Sequence, residues 1–265
     1  MTAAARPLPR LFYGDHFESG ERLLARERAV ALSFNGTTQA VMMATPQDLV
    51  DFAYGFALTE AIARPEEIEE VTVVEGARGI DVQSWLVPEA EARLAARRRS
   101  MAGPVGCGLC GIDSIDQALR DLPPVKRDFQ MSPAEVMAAI AALPRQQPLQ
   151  DLTRASHCAG FWAGDLQATR EDVGRHNALD KLAGHLIRQA ATAGAIVLTS
   201  RVSIDMVQKV AALDMPILIA VSAPTADAVA LADQLNITLV ALARPERFEL
   251  FTHPQRITGA AHGAR

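Results

Sequence analysis

Apolar residues follow two different rhythms along this chain. Towards the C-terminus, short unbroken apolar runs at residues 195–198, 217–221 and 237–242 are separated by segments with helical spacing at 203–213 and 225–235. Unbroken runs of that length are buried on both faces. They predict a largely parallel sheet covered by helices on each side. A further helix is predicted over about 175–191, ahead of Gly194. Towards the N-terminus the elements are more local. Residues 29–34 and 38–43 flank Asn35-Gly36, a dipeptide suited to a type I′ hairpin turn. Thr45-Pro46-Gln47-Asp48 reads as a helix start with Thr45 as cap, followed by Leu49, Phe52, Ala53 and Phe56 on one face. Strands are predicted at 68–74 and 80–87, and a short helix from 88 to about 98. Residues 1–20 read as a loosely held opening segment.

Between these regions the pattern breaks. Residues 103–112 read Gly-Pro-Val-Gly-Cys-Gly-Leu-Cys-Gly-Ile, with four glycines and a proline around a C-x-x-C pair. A helix at 114–122 and the breaker Pro123-Pro124 follow. Ser132-Pro133-Ala134-Glu135 has capping-box spacing, and 146–154 reads as a loop. The expected organisation is a small α+β domain (1–100), a cysteine loop with its connector (101–127) and an α/β domain (128–265), with no internal repeats.

Composition narrows the function. The chain has 265 residues, 49% of them hydrophobic and 22% charged, as in an ordinary globular protein. A net charge of −5 argues against a general nucleic-acid binder. Three cysteines are too few for a disulfide scaffold and fit a reducing compartment. No apolar run reaches the length of a membrane span and no apolar leader opens the chain. The expectation is a cytoplasmic protein.

The cysteine pair, Cys107 and Cys110, could hold a metal, exchange a disulfide or carry sulfur. Structural zinc needs a second ligand pair, which is missing. A zinc deaminase needs H-x-E and P-C-x-x-C; the one H-x-E, His16-Phe17-Glu18, lies far away, and Gly106 stands where the proline belongs. A thioredoxin-like site would follow an early strand. A mobile nucleophile or sulfur carrier is left. Cys158, beside Phe161 and Trp162, reads as a packing residue. Arg97-Arg98-Arg99 reads as a solvated helix end that could also lower a thiol pKa.

In a parallel sheet, ligands bind beyond the carboxyl ends of the strands. Here those ends carry Arg201 and Ser203, then Ser222 and Thr225, then Leu242, Ala243, Arg244, Pro245, Glu246 and Arg247. Hydroxyls, helix N-termini and arginines suit phosphate. They would equally serve as helix caps and solvated charges. Residues 169–181 are dense in polar groups. They offer either a site for a ligand's base or sugar, through Asp172, Arg175, His176 and Asn177, or an acidic helix start with an i,i+4 ion-paired surface. The residue pattern by itself favours the second.

The motifs at 44–49, 106–111, 171–181, 200–203, 220–225 and 252–256 together resemble the formate dehydrogenase accessory sulfurtransferases, the FdhD family, over about residues 30–256. The run D-V-G-R-H-N-A-L-D-K at 172–181 is its most specific part. The resemblance implies a sulfurtransferase with a cysteine persulfide intermediate on Cys107, assisted by Cys110. The partners implied are a cysteine desulfurase as donor and formate dehydrogenase as recipient. The cargo implied is the molybdenum bis(guanine dinucleotide) cofactor, with GDP or GTP as partial mimics. A cytidine-deaminase-like α/β/α domain without zinc, and a homodimer, are also implied. The chain departs from the family pattern at Ile204-Asp205, where an aromatic residue and Glu are expected, and at Glu246, where Gly is expected. A chaperone that binds the cofactor without moving sulfur is the alternative.

Overall fold

The structure, a computed structural model, describes residues 4–101 and 121–260, with the side chains of 97–101 excepted. Cys107, Cys110 and the helix expected at 114–122 lie outside the described residues, as do the side chains of Arg97, Arg98 and Arg99.

The unbroken apolar runs form the centre of a six-stranded sheet. Strands β7 (His157–Trp162), β8 (Leu166–Asp172), β9 (Ala195–Leu198), β10 (Ile217–Ala220), β11 (Thr238–Arg244) and β12 (Arg247–Leu250) are ordered β12-β11-β10-β9-β7-β8. β9, β10 and β11 are parallel, whereas β7 runs antiparallel to both β8 and β9, and β12 antiparallel to β11. Successive residues of each strand serve opposite faces. Ile196, Leu198, Leu218 and Leu239 meet helices α5 (Arg175–Arg188), α6 (Ile204–Ala212) and α7 (Ala226–Gln234). Ala195, Val197, Ile217, Ile219 and Val240 meet α3 (Pro133–Ala142). The sheet is therefore mixed rather than largely parallel. Its β7–β8 hairpin was missed because residues 157–172 combine apolar and charged positions without strict alternation.

The second sheet has the order β4-β3-β6-β5, from β3 (Arg28–Phe34), β4 (Thr37–Ala44), β5 (Ile68–Glu75) and β6 (Ile80–Leu86). The hairpin at Asn35-Gly36 is as expected, with φ of 46° and 74° at its two central residues. One face of this sheet covers α1 (Leu49–Thr59) through Val30, Leu32, Phe34, Phe52 and Phe56. A helix α2 (Pro88–Met101) follows β6.

Three local expectations are corrected. From Ala4 onward the opening segment is not loose: β1 (Ala5–Tyr13) and β2 (Phe17–Ala25) pair as an antiparallel ribbon, anchored where Ala4 and Ala5 pack on Leu149. Pro7 and Pro9 hid this strand, yet a two-stranded ribbon with free edges tolerates them. Residues 146–154 contain α4 (Pro148–Thr153) rather than only loop. Thr45 does not cap α1. Asp48 precedes that helix at φ 54°, and the Thr45 hydroxyl instead accepts from the Val173 N–H at 3.1 Å. The Ser132 capping box is present, with Glu135 N–H donating to Ser132 Oγ.

Candidate functional site

Strand direction decides where the candidate residues meet. β8 runs parallel to β9, so Asp172 at its end, and His157 at the start of antiparallel β7, lie on the same sheet edge as the ends of β9, β10 and β11. The edge thus presents, in order, residues 172–177, His157, Ser200 to Ser203, Ser222 to Thr225, and Leu242 to Arg247. From β8 to β11 is four strand spacings, roughly 19 Å.

At the β11 end, a bulge places Leu242 at φ 51° and the turn Pro245-Glu246 returns the chain into β12. Leu242, Arg244, Arg247, Phe248 and Glu249 line a cavity of about 190 Å³. The Arg244 guanidinium is held in place by donating to the Val221 and Ala243 carbonyls. Glu246 is exposed in the turn and does not line the cavity. Thr225 caps α7, accepting from Ala228 N–H at 3.2 Å. Ser203 does not cap α6; its hydroxyl reaches Asp205 at 3.4 Å.

The dense run at 172–181 proves to be largely a joint, not a surface. Asp172 is fully buried and accepts from Thr45 N–H, Gly174 N–H, Asn177 Nδ2 and Lys181 Nζ, the last at 2.6 Å. Asn177 also donates to the Met43 carbonyl, and Lys181 to that of Thr45. One turn on, Asp180 accepts from Thr59 and from Lys209, which also reaches Glu60 at 2.7 Å. Burial pushes the Lys209 pKa down, but Asp180 and Glu60 outweigh it and hold the group above its usual value. The two lysines lie over the rings of Phe52 and Phe56. His176 and Asp180, four apart and able to share a helix face, do not pair; Asp180 is taken by Thr59 and Lys209. Asn177 and Lys181 do share a face, and both converge on Asp172.

Arg175 and His176 remain at the edge. His176 Nε2 lies 3.6 Å from Asp205 Oδ2, a contact that links the starts of α5 and α6. His157 is a residue that the sequence did not single out. Its pKa is lowered by burial and by the neighbouring positive charges of Arg175 and His176. Its signal, a histidine opening an apolar run, acquires meaning only once β7 is paired with β8. Cys158 is buried, and burial together with Glu171 pushes its thiol pKa far up, which leaves it unreactive.

Among the described residues no cluster of three or more His, Cys, Asp or Glu could hold a metal ion. His16 and Glu18 pair with each other on the exposed opening ribbon. No helix of the described residues is long and apolar enough to cross a membrane.

Comparison with known proteins places this architecture. The sulfur carrier protein FdhD of Agrobacterium fabrum is 52% identical over 247 residues, covering 90% of each chain. That of Cupriavidus necator is 44% identical over 264 residues, covering 96% of this chain and 92% of its own. A crystal structure from Desulfotalea psychrophila, described as a candidate formate dehydrogenase accessory protein, superposes with a TM-score of 0.75 at 26% identity. It covers 96% of this chain and 99% of that one. The sequence model of the FdhD/NarQ family matches residues 25–258. With the fold and nearly the whole length in agreement, the chain belongs to the FdhD/NarQ family.

Proposed function

We propose that this protein is a sulfur carrier for formate dehydrogenase, and that it delivers sulfur to a molybdenum bis(guanine dinucleotide) cargo held along the strand-end edge. The observation that carries the reading is the gathering of Arg201, Ser203, Ser222, Arg244 and Arg247 on one edge beside a cavity, in a chain whose relatives are named sulfur carriers. Phosphate-rich cargo suits arginine donors and helix starts. Leu242, Ala243, Pro245 and Glu246 supply the backbone of that cavity's bulge and turn, and Thr225 the start of α7.

In the proposed cycle, Cys107 accepts sulfane sulfur from a cysteine desulfurase as a persulfide. Cys110 thiolate then attacks Cys107 Sγ. The bond from Cys107 to its sulfane sulfur breaks, a Cys107–Cys110 disulfide forms and HS⁻ leaves as the new ligand for the cargo metal. The two thiol sulfurs supply the two electrons, and a cellular dithiol restores the pair. The protein would act in the cytoplasm, as a homodimer, before the cargo enters formate dehydrogenase.

The test is the intact mass after incubation with cysteine and a cysteine desulfurase, paired with formate dehydrogenase maturation. Wild type should gain one sulfur atom on the Cys107 peptide. Cys107→Ala should gain none and fail to mature the enzyme, whereas Cys110→Ala should accept sulfur but deliver it poorly. Maturation at the wild-type rate by Cys107→Ala would replace this reading with that of a cofactor chaperone.

A further inference from the structure

The opening ribbon stands apart from both sheet cores. At its root Ala4, Ala5 and Ala25 pack on Leu149 of α4, and every residue from Pro9 to Arg22 is exposed. Leu11 and Phe17 are 69% and 70% exposed, with Phe12 and Tyr13 open beside them. A two-stranded ribbon with both faces wet is marginal by itself and gains stability when further strands join it. The two edges of this one are not equivalent. Arg26 N–H donates to the Ala4 carbonyl, so in this antiparallel register the hydrogen-bonded pairs are Arg6–Leu24, Leu8–Arg22, Arg10–Gly20 and Phe12–Glu18. The residues between them turn their N–H and C=O groups outward. On β1 two of these are Pro7 and Pro9, which have no N–H to offer. On β2 they are Phe17, Ser19, Glu21 and Leu23, an unbroken row of donors and acceptors. One edge is blocked and the other is open.

We propose that the β2 edge pairs with the β2 edge of a second copy of this chain, antiparallel across a two-fold axis, to give a four-stranded sheet β1-β2-β2-β1. Identical strands paired this way satisfy both open edges at once. Outward-turned residues must face one another, which leaves few registers. Centring the axis on Glu18, Glu21 or Arg22 sets like charges opposite each other, and centring it on Ser19 sets Phe17 against Glu21. Centring it on Gly20 sets Glu18 opposite the second copy's Arg22, and Phe17 opposite its Leu23, each pair occurring twice. Phe17 and Leu23 lie on the face that carries Tyr13, whose ring centre is 5.0 Å from that of Phe17. Glu18 and Arg22 lie on the other face, with Arg10 stacked over Phe12. Gly20 on the axis leaves no side chain between the strands at their closest approach, and a Cβ there meets nothing within the chain itself. The Ala25 residues of the two copies then stand about 30 Å apart, at opposite ends of the shared sheet. The inference rests on the homodimer of the proposed function and gives it a surface. It does not depend on the sulfur-transfer cycle.

The experiment is sedimentation velocity of the full chain over about 1–100 µM. Edge pairing buries less than the roughly 1,600 Å² of a standard interface, so the dimer should form and dissociate within that range. Arg22→Glu and Glu18→Arg each set like charges opposite one another twice, and each should weaken the dimer about tenfold. Combining the two restores opposite charges and should restore the wild-type dimer, a rescue that a general loss of folding would not show. Glu21→Pro removes an outward N–H while its partner across the ribbon is Pro9, so the ribbon should persist and the dimer should be lost. Arg6→Glu, on the outer strand, should change nothing. A dimer indifferent to Arg22→Glu and Glu21→Pro, or a combined variant without rescue, would overturn this surface and leave the homodimer standing. A chain that is monomeric throughout would overturn both and leave the β2 edge to a strand of another protein. Sulfur uptake on Cys107, read by mass, is a separate result.

Discussion

Asp172 shows how little of a residue's role a local pattern can hold. Its place in a polar run was visible, but Thr45, which it binds, lies 127 residues away. The chemistry of residues 172–181 was therefore legible while its use as a joint was not. Buried charges are costly unless paired, and removing one partner strands the other. Lys181→Met should destabilise the protein by about 3–5 kcal/mol in urea unfolding, and a loss below 1 kcal/mol would show that Asp172 is not relying on it. The histidines give a second expectation. Burial holds both His157 and His185 below the usual 6.5. Below that pH the unfolded chain takes up protons that the folded one resists, so stability is full above 6.5 and falls as the pH drops further. Urea midpoints measured at about pH 7.5 and 5.5 should fall with acidity. His157→Gln should flatten part of that slope, and an unchanged slope would remove His157 as a contributor.

Among elements, those with strong local chemistry were read well. The Asn35-Gly36 turn, the Ser132 capping box and the apolar strands β9, β10 and β11 each contain their own explanation. Those that failed depend on a distant partner. β7 and β8 are strands because they pair with each other and with β9, and the supposed cap at Thr45 was lost to Val173. The crossing of α1 and α5 belongs to the same class. Gly55 and Gly184 face each other there, and a Cβ on Gly184 would come within 1.8 Å of the Asp51 carbonyl oxygen. A Cβ cannot be accommodated without moving backbone, and overpacking of this kind costs about 1–3 kcal/mol or more. Gly184→Ala should lower the melting temperature clearly, although alanine is the better helix former. A neutral or stabilising result would mean that the helices are not held this close.

At the scale of the molecule, two sheets with separate cores are fastened through α1 and α5. The fold class was legible because the unbroken apolar strands demanded an α/β layer. The candidate edge was legible from strand-end chemistry, whereas its far corner needed the β7–β8 pairing. Trp85 lies in β6 and Trp162 in β7, and they are the only tryptophans of the chain. Variants keeping one or the other should report coincident urea transitions, because buried ion pairs tie the sheets together. Midpoints that differ would show the two bodies unfolding independently. The same fastening has a consequence for how the halves recognise each other. An oily seam can slide and still exclude water, but across this one Lys181 must meet the Thr45 carbonyl, and Lys209 the Thr59 hydroxyl and the Glu60 carboxylate. The seam behaves as a keyed lock: assembled out of register, it would leave buried ammonium protons without their acceptors, so only one alignment of the halves closes.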